Sequence, residues 1–146
     1  MIRPMKQEDF SDVLNMMLVF YASEALIVHP PEESLRRTLT DCLAGGPYLE
    51  GYVFMDGEET AGYGMLTKSY STEACGLCIW IEDIYVRPES RGKGLGSGFL
   101  AFVDEKYGAS AARIRLEAEP DNARAIEVYR KAGYHELGYM QLVKPV

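Results

Sequence analysis

The chain has 146 residues, of which 47% are hydrophobic and 25% charged, the make-up of one soluble globular domain spanning 1–146 that needs no disulfide or metal to fold. Its 15 Lys and Arg against 22 Asp and Glu give a net charge of -7, which excludes non-specific nucleic-acid binding. No apolar run reaches the roughly 18 residues of a membrane span, and Met1–Phe10 has no apolar signal core, so a cytoplasmic protein with no membrane contact is expected.

Met1-Ile2-Arg3-Pro4 reads as a short opening strand, with Pro4 suited to an edge position. From Gln7 to Ala22 the apolar residues Phe10, Val13, Leu14, Met17, Leu18 and Tyr21 fall on one helical face. A loop through Glu24, His29 and Pro30 follows. Pro31 opens a second helix, with Glu32 and Glu33 favouring its dipole and Gly45-Gly46 ending it. Leu49–Met55 and Thr60–Ser69 read as a strand pair about the turn Asp56-Gly57. Leu77–Val86 is the segment richest in β-branched and aromatic residues, and Pro88 stops it. Lys93–Tyr107 is an amphipathic helix ended by Gly108, Arg113–Ala118 a strand, and Asn122–Ala132 a helix with an Asn start and a Gly133 stop. Tyr134–Lys144 is expected to make one or two closing strands around Gly138. The order βααβββαβαββ implies an α/β (α+β) domain, a mixed sheet with helices on its faces.

The three cysteines, Cys42, Cys75 and Cys78, are read as free thiols. Cys75-Gly-Leu-Cys78 lacks the second ligand pair of a zinc site and runs into a strand rather than a helix, so no metal is expected.

Arg91-Gly92-Lys93-Gly94-Leu95-Gly96-Ser97-Gly98 joins the apolar strand to the next helix. Glycines let a backbone approach a ligand, and a helix N-terminus attracts anions. Arg87, Arg91 and Lys93 make the loop basic within an acidic chain. The dinucleotide pattern G-x-G-x-x-G fails, because Ser97 or Phe99 stands at its last glycine, and the P-loop fails because Gly94 follows Lys93. The remaining readings are a phosphate cradle of another kind or a flexible turn.

Arg91-Gly-Lys-Gly-Leu-Gly96 resembles the R/Q-x-x-G-x-G/A loop of the GCN5-related N-acetyltransferases (GNAT). Asn122-Ala-Arg-Ala-Ile-Glu-Val-Tyr129-Arg-Lys-Ala-Gly-Tyr134 resembles their N-x-x-A-x-x-x-Y-x-K-x-G-F element, with Tyr134 for the usual Phe. The resemblance implies the GNAT fold, a mixed but mostly antiparallel sheet flanked by about four helices, and acetyl-CoA as co-substrate. It implies that the amides of Gly92, Lys93, Gly94, Leu95, Gly96 and Ser97, beside Arg91, hold the CoA pyrophosphate. The edge of Ile84, Tyr85 and Val86 would pair with the pantetheine, Asn122 would touch the cofactor, and Tyr129 would lie near its sulfur.

Acetyl transfer to an amine requires that an ammonium with a pKa near 10 lose a proton, and that the departing thiolate gain one. Glu82 and Asp83 sit in the middle of the most apolar strand, where acids are rare unless paired or used. Neighbours in a strand point to opposite faces unless a bulge intervenes. Ile81-Glu-Asp-Ile-Tyr-Val86 is similar to a strand of the spermidine/spermine and thialysine acetyltransferases. That likeness implies Glu82 as the base, through water, and Glu82 and Asp83 as binders of a cationic amine. The competing reading pairs these acids with Arg113 or Arg115. Tyr129 is either the acid that protonates the thiolate or a core tyrosine. Tyr21, Glu24 and His29 are candidates for the acceptor site, His29 also reading as an exposed loop residue. The function expected is acetyl transfer to a small cationic amine; the alternatives are a protein or peptide N-acetyltransferase and a non-catalytic acyl-CoA-binding module. The family is often dimeric, and the apolar residues of Tyr134–Val146 offer a contact for a homodimer.

Overall fold

Alternation along the central strands sorts their side chains into two sets, and each set has its own helices. The computed structural model describes residues 1–24 and 26–146. Its elements are β1 (Ile2–Pro4), α1 (Phe10–Tyr21), α2 (Glu32–Leu43), β2 (Leu49–Asp56), β3 (Glu59–Ser71), β4 (Gly76–Val86), α3 (Leu95–Tyr107), β5 (Arg113–Leu116) and α4 (Ala123–Lys131). Short 3-10 turns at Gln7–Asp9 and Pro88–Ser90 precede α1 and the loop before α3. The sheet runs β1-β2-β3-β4-β5 in space; every neighbouring pair is antiparallel except β4 and β5, which α3 joins as a parallel crossover.

Val53, Tyr63 and Met65 pack with Val13, Leu14, Met17, Leu35 and Leu39 of α1 and α2 on one face. Tyr52, Phe54, Leu66, Ile79 and Ile81 pack with Phe99, Leu100 and Val103 of α3 on the other, where Val128 and Tyr129 of α4 also lie. The α3 face is close enough that a side chain at Gly64 would meet the Phe99 ring 2.4 Å away. The start of α1 is fixed by Asp9, whose carboxylate accepts from Arg3 at 2.7 and 2.8 Å and from the Lys6 amide at 2.8 Å. That cluster holds the carboxyl of Asp9 below its ordinary range, the Arg3 hydrogen bonds being the largest cause.

Two expectations are corrected. Helix α3 begins at Leu95, not Lys93, because Gly92 (φ 80) and Gly94 (φ 77) take left-handed backbone that ends any helix on their side. The closing strands are absent: Tyr134–Lys144 forms no ladder. This segment meets the sheet end through side chains instead, Tyr139 donating to Glu73 at 2.9 Å and Gln141 to Glu117. Leu137, Tyr139, Met140, Leu142 and Val143 stay exposed, so the apolar alternation that suggests a strand finds no backbone partner here.

Candidate active site

The site grows from an irregularity in β4. Met65 pairs with Asp83 and Leu66 with Ile81, which leaves Glu82 as the extra residue of a β-bulge. The bulge changes the parity of the strand. Ile79 and Ile81, before it, face α3, whereas Tyr85, after it, faces α1 and α2. Asp83 reaches Tyr63 and Tyr21 on that same face. Glu82 binds the Thr67 hydroxyl at 2.5 Å, and Thr67 shares the face of Met65 by strand alternation. The two acids of a regular strand would point apart; here both serve the α1–α2 side.

Their environments differ. Glu82 is exposed. Asp83 is 3% exposed, and its two oxygens accept from Tyr21 Oη at 2.8 Å and Tyr63 Oη at 3.0 Å. Burial is the main influence on its carboxyl and pushes it up to about 6; the two phenols oppose this and the Glu82 charge adds to it. Burial and the Asp83 charge likewise raise both phenols above the ordinary tyrosine value. Neither Arg113 nor Arg115 pairs with these acids. Arg113 bridges to Glu73 at 3.1 Å, and the Arg115 guanidinium lies 4.0 Å from the centre of the Trp80 ring.

The bulge also marks where the sheet opens. β5 pairs with β4 only from Cys78 to Ile81, so among the described residues Glu82–Val86 have no strand partner on that side, and the backbone of Ile84, Tyr85 and Val86 lies along an edge that no strand covers. This edge leads directly to the glycine loop. Among the described residues, the amides of 92–97 donate to no protein acceptor; the first helical bond is from Gly98 to the Gly94 carbonyl at 2.8 Å. Open amides at the start of a 13-residue helix suit an anion, and nothing lies within 4 Å of where a Cβ would stand at Gly92 or Gly94. These residues fit a pyrophosphate. Arg91 Nε donates to the Val86 carbonyl at 3.1 Å, and Lys93 bridges to Asp56 at 2.5 Å, so both side chains brace the loop. A groove of about 240 Å³ between α3 and α4, lined by Ser97, Asp104 and Lys131, continues from it.

Asn122 caps α4, its Oδ1 accepting from the Ala125 amide at 3.2 Å. Tyr129 lies on α4 with its ring edge-on to Tyr134, centroids 6.4 Å apart. Burial raises its phenol above the ordinary value, so it holds its proton at neutral pH. Of the acceptor-site candidates, Tyr21 joins Asp83, while Glu24 is exposed at the end of α1 and makes no hydrogen bond among the described residues. His29 is exposed, as a loop histidine would be, and its Nδ1 donates to the Tyr21 carbonyl at 2.6 Å. Cys75 is exposed in a turn with φ 59, Cys78 is buried, and all three cysteines are free.

The residues missed by sequence reasoning are Tyr63 and Thr67, the hydrogen-bond partners of the two acids. Alternation along β3 placed them on one face, but only the register to β4 brings them to Asp83 and Glu82.

The fold is that of known acetyltransferases. An integron cassette protein from the mobile metagenome of Cole Harbour Salt Marsh superposes with a TM-score of 0.83 at 27% identity, covering 99% of this chain and 90% of that one. A possible acetyltransferase from Clostridium difficile 630 gives 0.85 at 20% identity, covering 100% and 97%. In sequence, the chain is 32% identical to a thialysine N-epsilon-acetyltransferase of Bos taurus over 148 residues, covering 94% of this chain and 85% of that protein. The model of the acetyltransferase (GNAT) family matches residues 14–134. The chain belongs to this family and is an acetyl-CoA-dependent N-acetyltransferase.

Proposed function

We propose that this enzyme acetylates the primary amine of a small cationic molecule, a polyamine, a diamine or an amino-acid-like amine, by direct attack within a ternary complex. The observation that carries this reading is the bulge at Glu82, which gathers two carboxylates on one face beside an open strand edge that runs into a cradle of free amides. The amides of 92–97 hold the pyrophosphate of acetyl-CoA, and Ile84–Val86 pair with its pantetheine arm, which leaves the thioester near the bulge. A β4 amide freed of β5 supplies the donor that a developing oxyanion needs. Glu82 takes a proton from the attacking nitrogen through water as the new bond forms. Tyr129, protonated at neutral pH, gives its proton to the departing thiolate. Asn122 keeps its amide nitrogen for the cofactor while its oxygen caps α4.

Glu82 and Glu24 attract the charged acceptor, and Asp83 contributes from the interior through Tyr21. The name of the bovine relative, thialysine N-epsilon-acetyltransferase, agrees with an acceptor of this class. The free thiols accord with a reducing cytoplasm, and the exposed apolar residues from Leu137 to Val143 with a homodimer contact.

Thiol release from acetyl-CoA across polyamines, thialysine, lysine, aminoglycosides and peptide N-termini tests the reading. Turnover with small cationic amines and none with peptides is expected. Activity confined to peptides would move the enzyme to protein acetylation, and acetyl-CoA binding without turnover on any amine would make it a binding module.

A further inference from the structure

Asp83 is an unusual core residue. It is buried between β3, β4 and α1 with no cation: among the described residues no Lys, Arg or His bonds to it. The titratable groups that face it are Tyr21 from α1, Tyr63 from β3 and Glu82 from its own strand, with Tyr85 behind the Tyr63 ring. A buried carboxylate held only by phenols is costly for stability alone, since an apolar side chain would fill the space without desolvating a charge. The two phenols are not equivalent. Tyr63 is fully buried and can only hold the carboxylate. Tyr21 is half-buried at the end of α1, where the acceptor-side loop begins, and the Glu82 charge reaches it.

We propose that Asp83 takes up the proton that an ammonium acceptor must lose before attack, and that the Tyr21 hydroxyl carries it there. The inference rests on the acetyl-transfer reading above. The acceptor's N–H bond breaks as its proton joins Tyr21 Oη, and the nitrogen keeps the electron pair. In the same step the Tyr21 O–H proton crosses its 2.8 Å hydrogen bond to Asp83 Oδ1. Tyr21 ends neutral, Asp83 ends protonated, and its new O–H donates back to Tyr21. Tyr63 keeps donating to Oδ2 throughout. The proton returns to solvent by the reverse path after the product leaves. Glu82 then handles the second proton, released as the bond to carbon forms. The overall reaction therefore sheds one proton to water and leaves one on the CoA sulfur. The raised carboxyl of Asp83 makes transfer from an ammonium about a hundredfold less unfavourable than an ordinary aspartate would.

The test is the pH dependence of kcat/KM for thialysine in the wild type, Y21F, D83N and E82Q. Near pH 7, Y21F and D83N should each lose at least about tenfold. Their deficit should vanish as pH approaches about 10, where water alone has neutralised the amine. The E82Q deficit should persist across the range. Y21F, which keeps the ring and the packing, keeps the test valid if D83N folds poorly. A Y21F deficit that is absent or constant with pH overturns the relay, as does an alkaline rescue seen in E82Q alone. Without any acceptor, carboxyl-13C aspartate spectra should contain one signal titrating near pH 6 that D83N lacks; ordinary acidic titration of every aspartate also overturns it. Failure of the wild type to acetylate any amine would sink the acetyl-transfer reading itself, a result distinct from each of these.

Discussion

At the residue scale, the two tyrosines at the end of α4 make opposite predictions. Tyr129 has a raised phenol and no hydrogen bond among the described residues, which leaves its proton free for a departing thiolate. Tyr129→Phe keeps the ring contact with Tyr134 and so keeps the fold and acetyl-CoA affinity. It should lower turnover on a saturating amine at least about tenfold, or ~1.4 kcal/mol of transition-state stabilisation. An unchanged kcat would return Tyr129 to a packing role. Tyr134 stands where the family motif carries Phe, and its hydroxyl is buried without a partner among the described residues. Burial, then the charge of Asp104, pushes its phenol up to about 12. A buried unpaired hydroxyl costs about 1–3 kcal/mol. Tyr134→Phe should therefore stabilise the protein, by about 1 kcal/mol in urea unfolding, and a loss of stability would mean that the hydroxyl has found a partner through water.

At the element scale, the loop between β4 and α3 works by backbone shape. Gly94 has φ 77 with nothing near its missing side chain, so Gly94→Ala is resisted by conformation alone, at about 1–2 kcal/mol. That strain should appear as roughly tenfold weaker acetyl-CoA binding in calorimetry, because an amide turned out of the cradle no longer meets the phosphate. Gly64 depends on space instead: a methyl there meets Phe99, so Gly64→Ala should unfold more easily while the loop is untouched. Glycine spacing and charge made the loop legible in the sequence, apolar periodicity located α1, α2 and α3, and the Asn122 and Gly133 caps located α4. Other features depend on pairing that no local pattern carries. The bulge at Glu82 is a one-residue mismatch between β3 and β4, visible only once both strands are in register. The interior place of Asp83 depends on Tyr21, 62 residues away, and Tyr63, 20 away. The segment after Tyr134 alternates like a strand, but a strand exists only where an edge accepts it.

At the scale of the whole molecule, two carboxylates with opposite shifts, Glu50 half-buried and Asp83 buried, shape stability against pH. Glu50 ties β2 to β3 and α3. Lys68, Lys106, Tyr52 and Tyr107 all bond to its carboxylate, and the Lys106 ammonium lies over the Tyr52 and Tyr107 rings. Burial acts to raise its carboxyl, but the bonds from Lys68, Tyr107 and Tyr52, with the Lys106 charge, lower it to about 2. A lowered carboxyl gives stability that is complete above the unfolded value near 4.5 and is lost as pH falls through about 2. Asp83 has the opposite sign. Its folded value near 6 exceeds the unfolded one near 3.8, so the fold gains stability as pH drops from above 6 toward 4. The Asp83 gain is of order 1–3 kcal/mol, several degrees in Tm for a chain of this length. Melting followed by circular dichroism should therefore show wild-type Tm rising between about pH 7.5 and 5, then falling below about pH 4. Part of the rise comes from neutralising a chain of net charge -7, and the variants separate that part. D83N should flatten the rise relative to wild type and leave the acid fall in place. E50Q should do the reverse. It should lower stability at neutral pH by about 1–2 kcal/mol, discounted for a side chain that is 23% exposed. Parallel curves for wild type and D83N across neutrality would show that Asp83 ionises as an ordinary surface acid, which its burial and its hydrogen bonds to Tyr21 and Tyr63 oppose.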